Sequence, residues 1–178
     1  GWDIGKVSPP LKAYFDQIED KSMRILIPGA GRGHEAQYLY EQGFMDVHIL
    51  DFAPLAIEEF RRNCPDFPSS QIHLTDFFQF KADKFDLIIE QTFFSSLPPA
   101  MRPKYVLKMY DLLKVKGKLT GVLFNDEFDD YEPPFGGDIY SYLRFFKDLF
   151  DIKIFEPCSN SIKPRSGREF FVSFQRMF

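Results

Sequence analysis

The feature that most constrains this chain is a glycine-rich turn set between a strand pattern and a helix pattern. Residues 23–27, Met-Arg-Ile-Leu-Ile, read as a strand and run straight into Pro28-Gly29-Ala30-Gly31-Arg32-Gly33. Beyond the turn, Ala36, Leu39 and Tyr40 fall on one helical face, and Gly43 supplies a C-terminal stop. Small residues at such a junction let the backbone approach a ligand, and the helix start offers unpaired N–H groups. The alternation continues along the chain. Residues 47–51 form a second strand pattern, and Pro54 stands at the first position of a helix carrying Leu55, Ile57 and Phe60. Strand patterns follow at 72–75 and 85–90, a helix at 103–113 and a fifth strand at 118–125, after a short helix at 11–18 near the start. A helix at 139–150 then leads to two β-rich runs, 152–156 and 169–175, joined by a polar loop too short for a crossover helix. Those two runs are expected to pair antiparallel. The whole is an α/β chain with a mostly parallel sheet and a reversed final strand.

Three ligand classes compete for the glycine turn. A phosphate-cradling loop needs a lysine and a hydroxyl at GxxxxGK[ST] spacing, which is absent. A dinucleotide fingerprint needs a third glycine where His34 stands. The glycines run Gly29, Gly31, Gly33, and the next strand ends in Asp51, a carboxylate placed to accept both hydroxyls of a ribose. A nucleoside without a pyrophosphate fits best, which points to S-adenosylmethionine as cofactor. Asp76, just past the third strand, is placed to accept from an adenine amino group, with Phe77 against the base. Glu90 and Gln91 close the fourth strand and face the same crevice, suited to the aminoacyl end of such a cofactor.

Composition narrows the partners. The 178 residues suffice for a single domain, residues 1–178, with one core. With 22 basic and 26 acidic residues the net charge is -4, the wrong sign for a protein that neutralises many phosphates, so no nucleic-acid partner is expected. No run of about 18 apolar residues suggests a membrane span. Cys64 and Cys158 form no CxxC pair and the three histidines are scattered, so no metal is expected and a reducing, cytoplasmic setting is. Nothing points beyond a monomer or weak dimer. The 22 Phe, 8 Tyr and 1 Trp are an excess of rings that suits a wide core and an aromatic-lined pocket. Phe52, Phe77, Phe93, Phe94 and Phe135 fall just past strand ends or in loops at the edge where α/β sheets bind ligands. Glu132-Pro133-Pro134-Phe135 reads as a substrate-side loop element or a stiff connector. Lys163, Arg165 and Arg168 form a basic cluster in the last loop, either solvated or drawing an anionic substrate to the cleft.

The assembled motifs resemble a known family. Trp2-Asp3-Ile4-Gly5 with Ser8-Pro9-Pro10-Leu11, the turn from Ile27 to Glu35, Leu50-Asp51, Asp76-Phe77-Phe78, Thr92-Phe93-Phe94, Met101-Arg102-Pro103, Asp111-Leu112-Leu113-Lys114 and Pro133-Pro134-Phe135 are similar to the thiopurine S-methyltransferase family, in particular its plant-type thiol and halide branch. The resemblance spans essentially the full chain. It implies a Rossmann-like class I methyltransferase fold: a seven-stranded mixed sheet of order 3-2-1-4-5-7-6, last strand antiparallel, with helices on both faces. It also implies that residues 1–20 cap the cofactor, with Trp2 over it. Gly29 and Gly31 would then lie at the aminoacyl part, Asp51 at the ribose, and Asp76 and Phe77 at the adenine, with Ala30 and Phe52 also at the cofactor. Gln91 departs from the family, where Tyr or Arg is usual, and Ser95 stands where Cys is frequent. The expected reaction is methyl transfer to a small acceptor, a thiol or related sulfur nucleophile, yielding S-adenosylhomocysteine. Phe93, Phe94 and Phe135 are expected to wall the acceptor chamber, with Arg165 and Arg168 at its mouth and no residue assigned a catalytic proton transfer. An oxygen or nitrogen acceptor would require a base, for which Glu90 is the candidate; cofactor binding without turnover is the remaining alternative.

Overall fold

In a computed structural model, residues 3–128 and 131–178 are described; Trp2 lies outside them. Seven strands form one sheet in the order β3-β2-β1-β4-β5-β7-β6. The first half comprises α1 (Pro9–Phe15), β1 (Arg24–Pro28), α2 (His34–Glu41), β2 (Asp46–Asp51), α3 (Pro54–Asn63) and β3 (Ile72–Leu74). The second comprises β4 (Phe85–Gln91), a single turn α4 (Phe93–Ser96), α5 (Arg102–Leu112), β5 (Leu113–Phe124), α6 (Ile139–Phe146), β6 (Phe150–Pro157) and β7 (Glu169–Arg176). Strands β1 to β5 pair in parallel, and β7 runs antiparallel to both β5 and β6. This order, with β7 reversed, is the one that the sequence resemblance implies. Because β1 is flanked by β2 and β4, the chain leaves it in both directions, and a crevice opens at the carboxyl ends of these strands.

Alternate strand residues sort onto two faces, as the period of two requires. Ile25, Ile27, Val47, Ile49, Leu87 and Ile89 pack with Leu11 and Phe15 of α1, Leu39 of α2 and Phe60 of α3. Leu26, Leu50 and Ile88 pack on the other side with Tyr105 and Met109 of α5 and Tyr142 and Phe146 of α6. Much of the aromatic excess is spent here. Phe94, Phe146, Phe150 and Phe174 are almost fully enclosed, and the Phe146 and Phe174 ring centres lie 4.6 Å apart.

Some boundaries differ from the sequence reading. The helix expected over 139–150 stops at Phe146, because Phe150 already pairs with Arg176 in the β6–β7 ladder. Strand β5 begins at Leu113 rather than 118. Lys116 takes a left-handed φ of 66° and the β4 register shifts between Phe85 and Leu87, so the strand continues through what reads locally as a Lys-Gly turn. Among the described residues no helix is long and apolar enough to cross a membrane.

Phe174→Ala removes a fully buried ring between α6 and β6. The expected loss is about 3–5 kcal/mol of unfolding free energy in urea titration, and a loss below about 1 kcal/mol would show that this aromatic layer can collapse around the gap.

Candidate functional site

The glycine turn after β1 is built by its backbone. Gly29 has a φ of +62°, and a Cβ there would run into the Phe93 ring, so glycine is required both by conformation and by the close approach of α4. Gly31 has a φ of +55°, and among the described residues a Cβ added to it meets nothing within 4 Å. Two contacts tie this turn to β2. The Ala30 N–H donates to the Leu50 carbonyl at 3.2 Å, and the Gly31 N–H donates to Asp51 Oδ2 at 3.0 Å. Asp51 Oδ1 accepts the Ala53 N–H at 3.0 Å, which leaves the carboxylate's outer lone pairs toward the cavity. At the end of β3, Thr75 N–H donates to the Asp51 carbonyl at 3.1 Å, and Asp76 accepts the Phe78 N–H at 2.9 Å. Asp76 thus caps a short 3-10 turn and faces the same cavity.

That cavity measures about 690 Å³, within the range of small-molecule sites. On the β1–β3 side it is lined by Gly29, Ala30, Gly31, Asp51, Phe52, Asp76, Phe77 and Phe78. On the β4 side the lining is Gln91, Thr92, Phe93, Ser96, Leu97, Pro98 and Met101. Residues of the entry segment, Asp3, Ile4 and Lys6, close a third side together with Arg32, His34 and Glu35. Asp3 holds that segment in place. It accepts from the Gly5 N–H at 2.7 Å, contacts His34 Nε2 at 2.8 Å and pairs with Arg32 Nε at 3.0 Å, while Arg32 also reaches Glu59.

The β4 side rests on a buried carboxyl. Glu90, 1% exposed, accepts the Phe93 and Phe94 N–H groups at 2.8 and 2.9 Å and the Tyr105 hydroxyl at 2.5 Å. These bonds anchor the turn at Thr92, whose φ of 62° is left-handed, and with it the ring of Phe93. Burial pushes the Glu90 carboxyl up to about 7, against the opposing pull of the Tyr105 and backbone donors. Burial and the adjoining Glu90 drive the Tyr105 hydroxyl well above its ordinary range.

Gly29, Ala30, Gly31, Asp51, Phe52, Asp76, Phe77, Gln91 and Phe93 therefore come together around one cavity. Five expected site residues do not line it. Glu90 lies beneath the β4 side, consumed by three donors. Phe94 points the other way, into the core against Tyr105 and Tyr142, since successive residues of the α4 turn cannot share a face. Phe135 is buried, its N–H bonded to the Ser95 carbonyl at 2.8 Å, so the Pro-Pro loop braces α4 from behind. Arg165 is buried beside Glu169, and Arg168 pairs with Asp126 at 2.5 Å. Neither arginine reaches the cavity mouth. Conversely, Asp3, Arg32, His34 and Glu35 line the cavity without having been singled out as site residues. Their signal was proximity to the glycine turn and a polar entry segment, but the contact between the two is made only in three dimensions. Leu97, Pro98 and Met101 carry no chemical signature at all.

Comparison with known proteins agrees with this geometry. The family model for thiopurine S-methyltransferase matches residues 1–170. Probable thiol methyltransferase 2 of Arabidopsis thaliana is 28% identical over 175 residues, covering 94% of this chain and 76% of that protein. Thiocyanate methyltransferase 1 of Brassica oleracea is 28% identical over 173 residues, with the same coverage. Among solved structures, a methyltransferase dependent on S-adenosylmethionine from Methanosarcina mazei superposes with a TM-score of 0.78 at 16% identity, over 97% of this chain and 99% of that one. The 1,6-didemethyltoxoflavin-N1-methyltransferase of Burkholderia thailandensis, solved with bound 1,6-didemethyltoxoflavin and S-adenosylhomocysteine, gives 0.75 at 15% identity, over 96% and 78%. These two structures establish the fold.

The buried Glu90 makes stability depend on pH. The folded chain keeps this proton up to about 7 while an unfolded carboxyl releases it near 4.5, so the folded state holds more protons between those values. Its contribution is full below about 4.5 and declines as pH rises toward 7. In Glu90→Gln that slope disappears. The difference in unfolding free energy between wild type and variant should shift by on the order of 3 kcal/mol across the window, and a constant difference from pH 4.5 to 7.5 would refute the assignment.

Proposed function

The chain belongs to the thiopurine S-methyltransferase family of methyltransferases that use S-adenosylmethionine, and on that premise we propose that it methylates a small thiol or related sulfur nucleophile. The observation that carries the choice of acceptor is the chemistry of the β4 side of the cavity. Phe93, Leu97, Pro98 and Met101 make it apolar, and its polar groups are Gln91, Thr92 and Ser96. Among the described residues of this side there is no carboxylate, imidazole or amine to act as a base. Glu90, the carboxyl at the end of β4, is sealed under Phe93 and engaged by three donors. An alcohol or a protonated amine needs such a base; a thiol ionises near neutral pH and is already a strong nucleophile.

The other side suits the cofactor. Asp51 presents a carboxylate to two vicinal hydroxyls, Asp76 presents one to an exocyclic amine, and the space over Gly31 is open to a chain passing along the turn. Bound there, S-adenosylmethionine would supply a methyl group on a cationic sulfur, an electrophilic carbon open to a thiolate, with S-adenosylhomocysteine as the leaving group. The protein's own contribution is placement. Phe93, held by Glu90 and seated against Gly29, excludes water from the chamber, and the Asp3 contacts to His34 and Arg32 keep the entry segment over it.

Two measurements test the reading. A panel of thiols, halides, phenols and amines assayed with S-adenosylmethionine should give turnover with the sulfur acceptors; turnover confined to phenols or amines would overturn it. Asp51→Asn keeps an oxygen for one of the two backbone donors but loses the charged acceptor. It should weaken S-adenosylhomocysteine about tenfold in calorimetry, and an unchanged affinity would remove Asp51 from the ribose.

A further inference from the structure

Among the described residues four carboxylates line the cavity, and three of them are already engaged. Asp3 is paired with Arg32 and His34; Asp51 and Asp76 sit at the ends of β2 and β3, where the nucleoside is placed. The fourth is Glu35, in the first turn of α2, immediately beyond the glycine turn. Its side chain is buried, at 7% exposure, and Oε1 accepts the Ser8 N–H at 3.1 Å. Among the described residues it forms no ion pair, although the fields of His34 and Arg165 reach it. A carboxylate in this position is held by neutral donors without a partner of opposite charge at contact distance, which is costly unless a ligand supplies one. Burial accordingly pushes its carboxyl up from the ordinary range, against the pull of the Ser8 N–H.

We propose that Glu35 binds the α-ammonium group of the cofactor's aminoacyl end, a role that rests on the reading of this cavity as the S-adenosylmethionine site. Three features of the place converge on an ammonium rather than on any other group. Glu35 lies one residue beyond His34, in the helix that the glycine turn opens, and shares the cavity wall with Gly29, Ala30 and Gly31. The negative charge turns away anions, including the cofactor's own carboxylate, for which Lys6 and Arg32 on the same side are the cationic partners. Glu90, the other carboxyl suited by sequence to the aminoacyl end, has no access to the cavity. The same Glu35 oxygen anchors Ser8 at the start of α1, so the ligand's ammonium and the entry segment meet on one side chain.

The test removes the charge from each partner in turn. S-adenosylhomocysteine and its deaminated analogue, which keeps the carboxylate, are titrated by calorimetry into wild type and Glu35→Gln, an isosteric change that still accepts from Ser8. Wild type should bind the deaminated analogue about tenfold more weakly than S-adenosylhomocysteine, and the variant should bind the two with nearly equal affinity. Equal discrimination by both proteins overturns the assignment, because the ammonium would then be held elsewhere. Should Glu35→Gln fail to fold in a thermal melt, Glu35→Asp serves in its place: a shortened carboxylate should lose part of the discrimination, and full retention overturns the assignment equally. Wild-type protein that binds neither ligand overturns the cofactor reading itself, and this inference with it.

Discussion

The site depends on one carboxylate at the end of β2. Asp51 accepts the Gly31 N–H with one oxygen and the Ala53 N–H with the other, while its own carbonyl takes the Thr75 N–H. Through these bonds the ends of β1, β2 and β3 are locked at one level along the sheet edge. The glycine turn can then follow its left-handed path without drifting, and Phe93 can be seated against Gly29 from the β4 side. A buried carboxylate held by backbone donors is a stiff element, because its partners cannot rotate away. Asp51 is therefore part of the frame as well as of the binding surface.

The cavity divides by chemistry along the line between β1 and β4. Its β1–β3 side carries the Asp51 and Asp76 carboxylates and the backbone of the glycine turn. Its β4 side is apolar, and among the described residues its polar groups are an amide and hydroxyls. The two are supported differently. The polar side is held by hydrogen bonds to the turn, whereas the apolar side stands on Glu90, whose three donors fix Thr92 and Phe93 from below. A buried polar cluster satisfied in this way orients a wall without exposing charge to it.

Much of the fold could be read from local pattern. Five strand patterns with intervening helices and turns announce parallel βα units, and the short polar loop before the last strand announces a reversal. The excess of phenylalanine was harder to apportion. Phe93 and Phe94 are adjacent in an identical local context, yet one lines the cavity and the other fills the core between Tyr105 and Tyr142. Arg165 and Arg168 look alike in sequence as loop cations; Glu169 and Asp126 take them out of the site.

What the residues determined alone was the glycine turn, the acids at the two following strand ends and hence the polar side of the cavity. These signals are short-range, carried by a turn and by residues whose place at a strand end is set by strand length. Tertiary structure decided the rest. It brought Asp3 onto His34 and Arg32 across more than a strand of intervening chain, buried Glu90 beneath the wall it was expected to line, and left Glu35 facing the cavity. The physical reason is common to all three: whether a charged side chain serves a ligand or a neighbour depends on which donors and cations the fold packs beside it, and those come from distant parts of the chain.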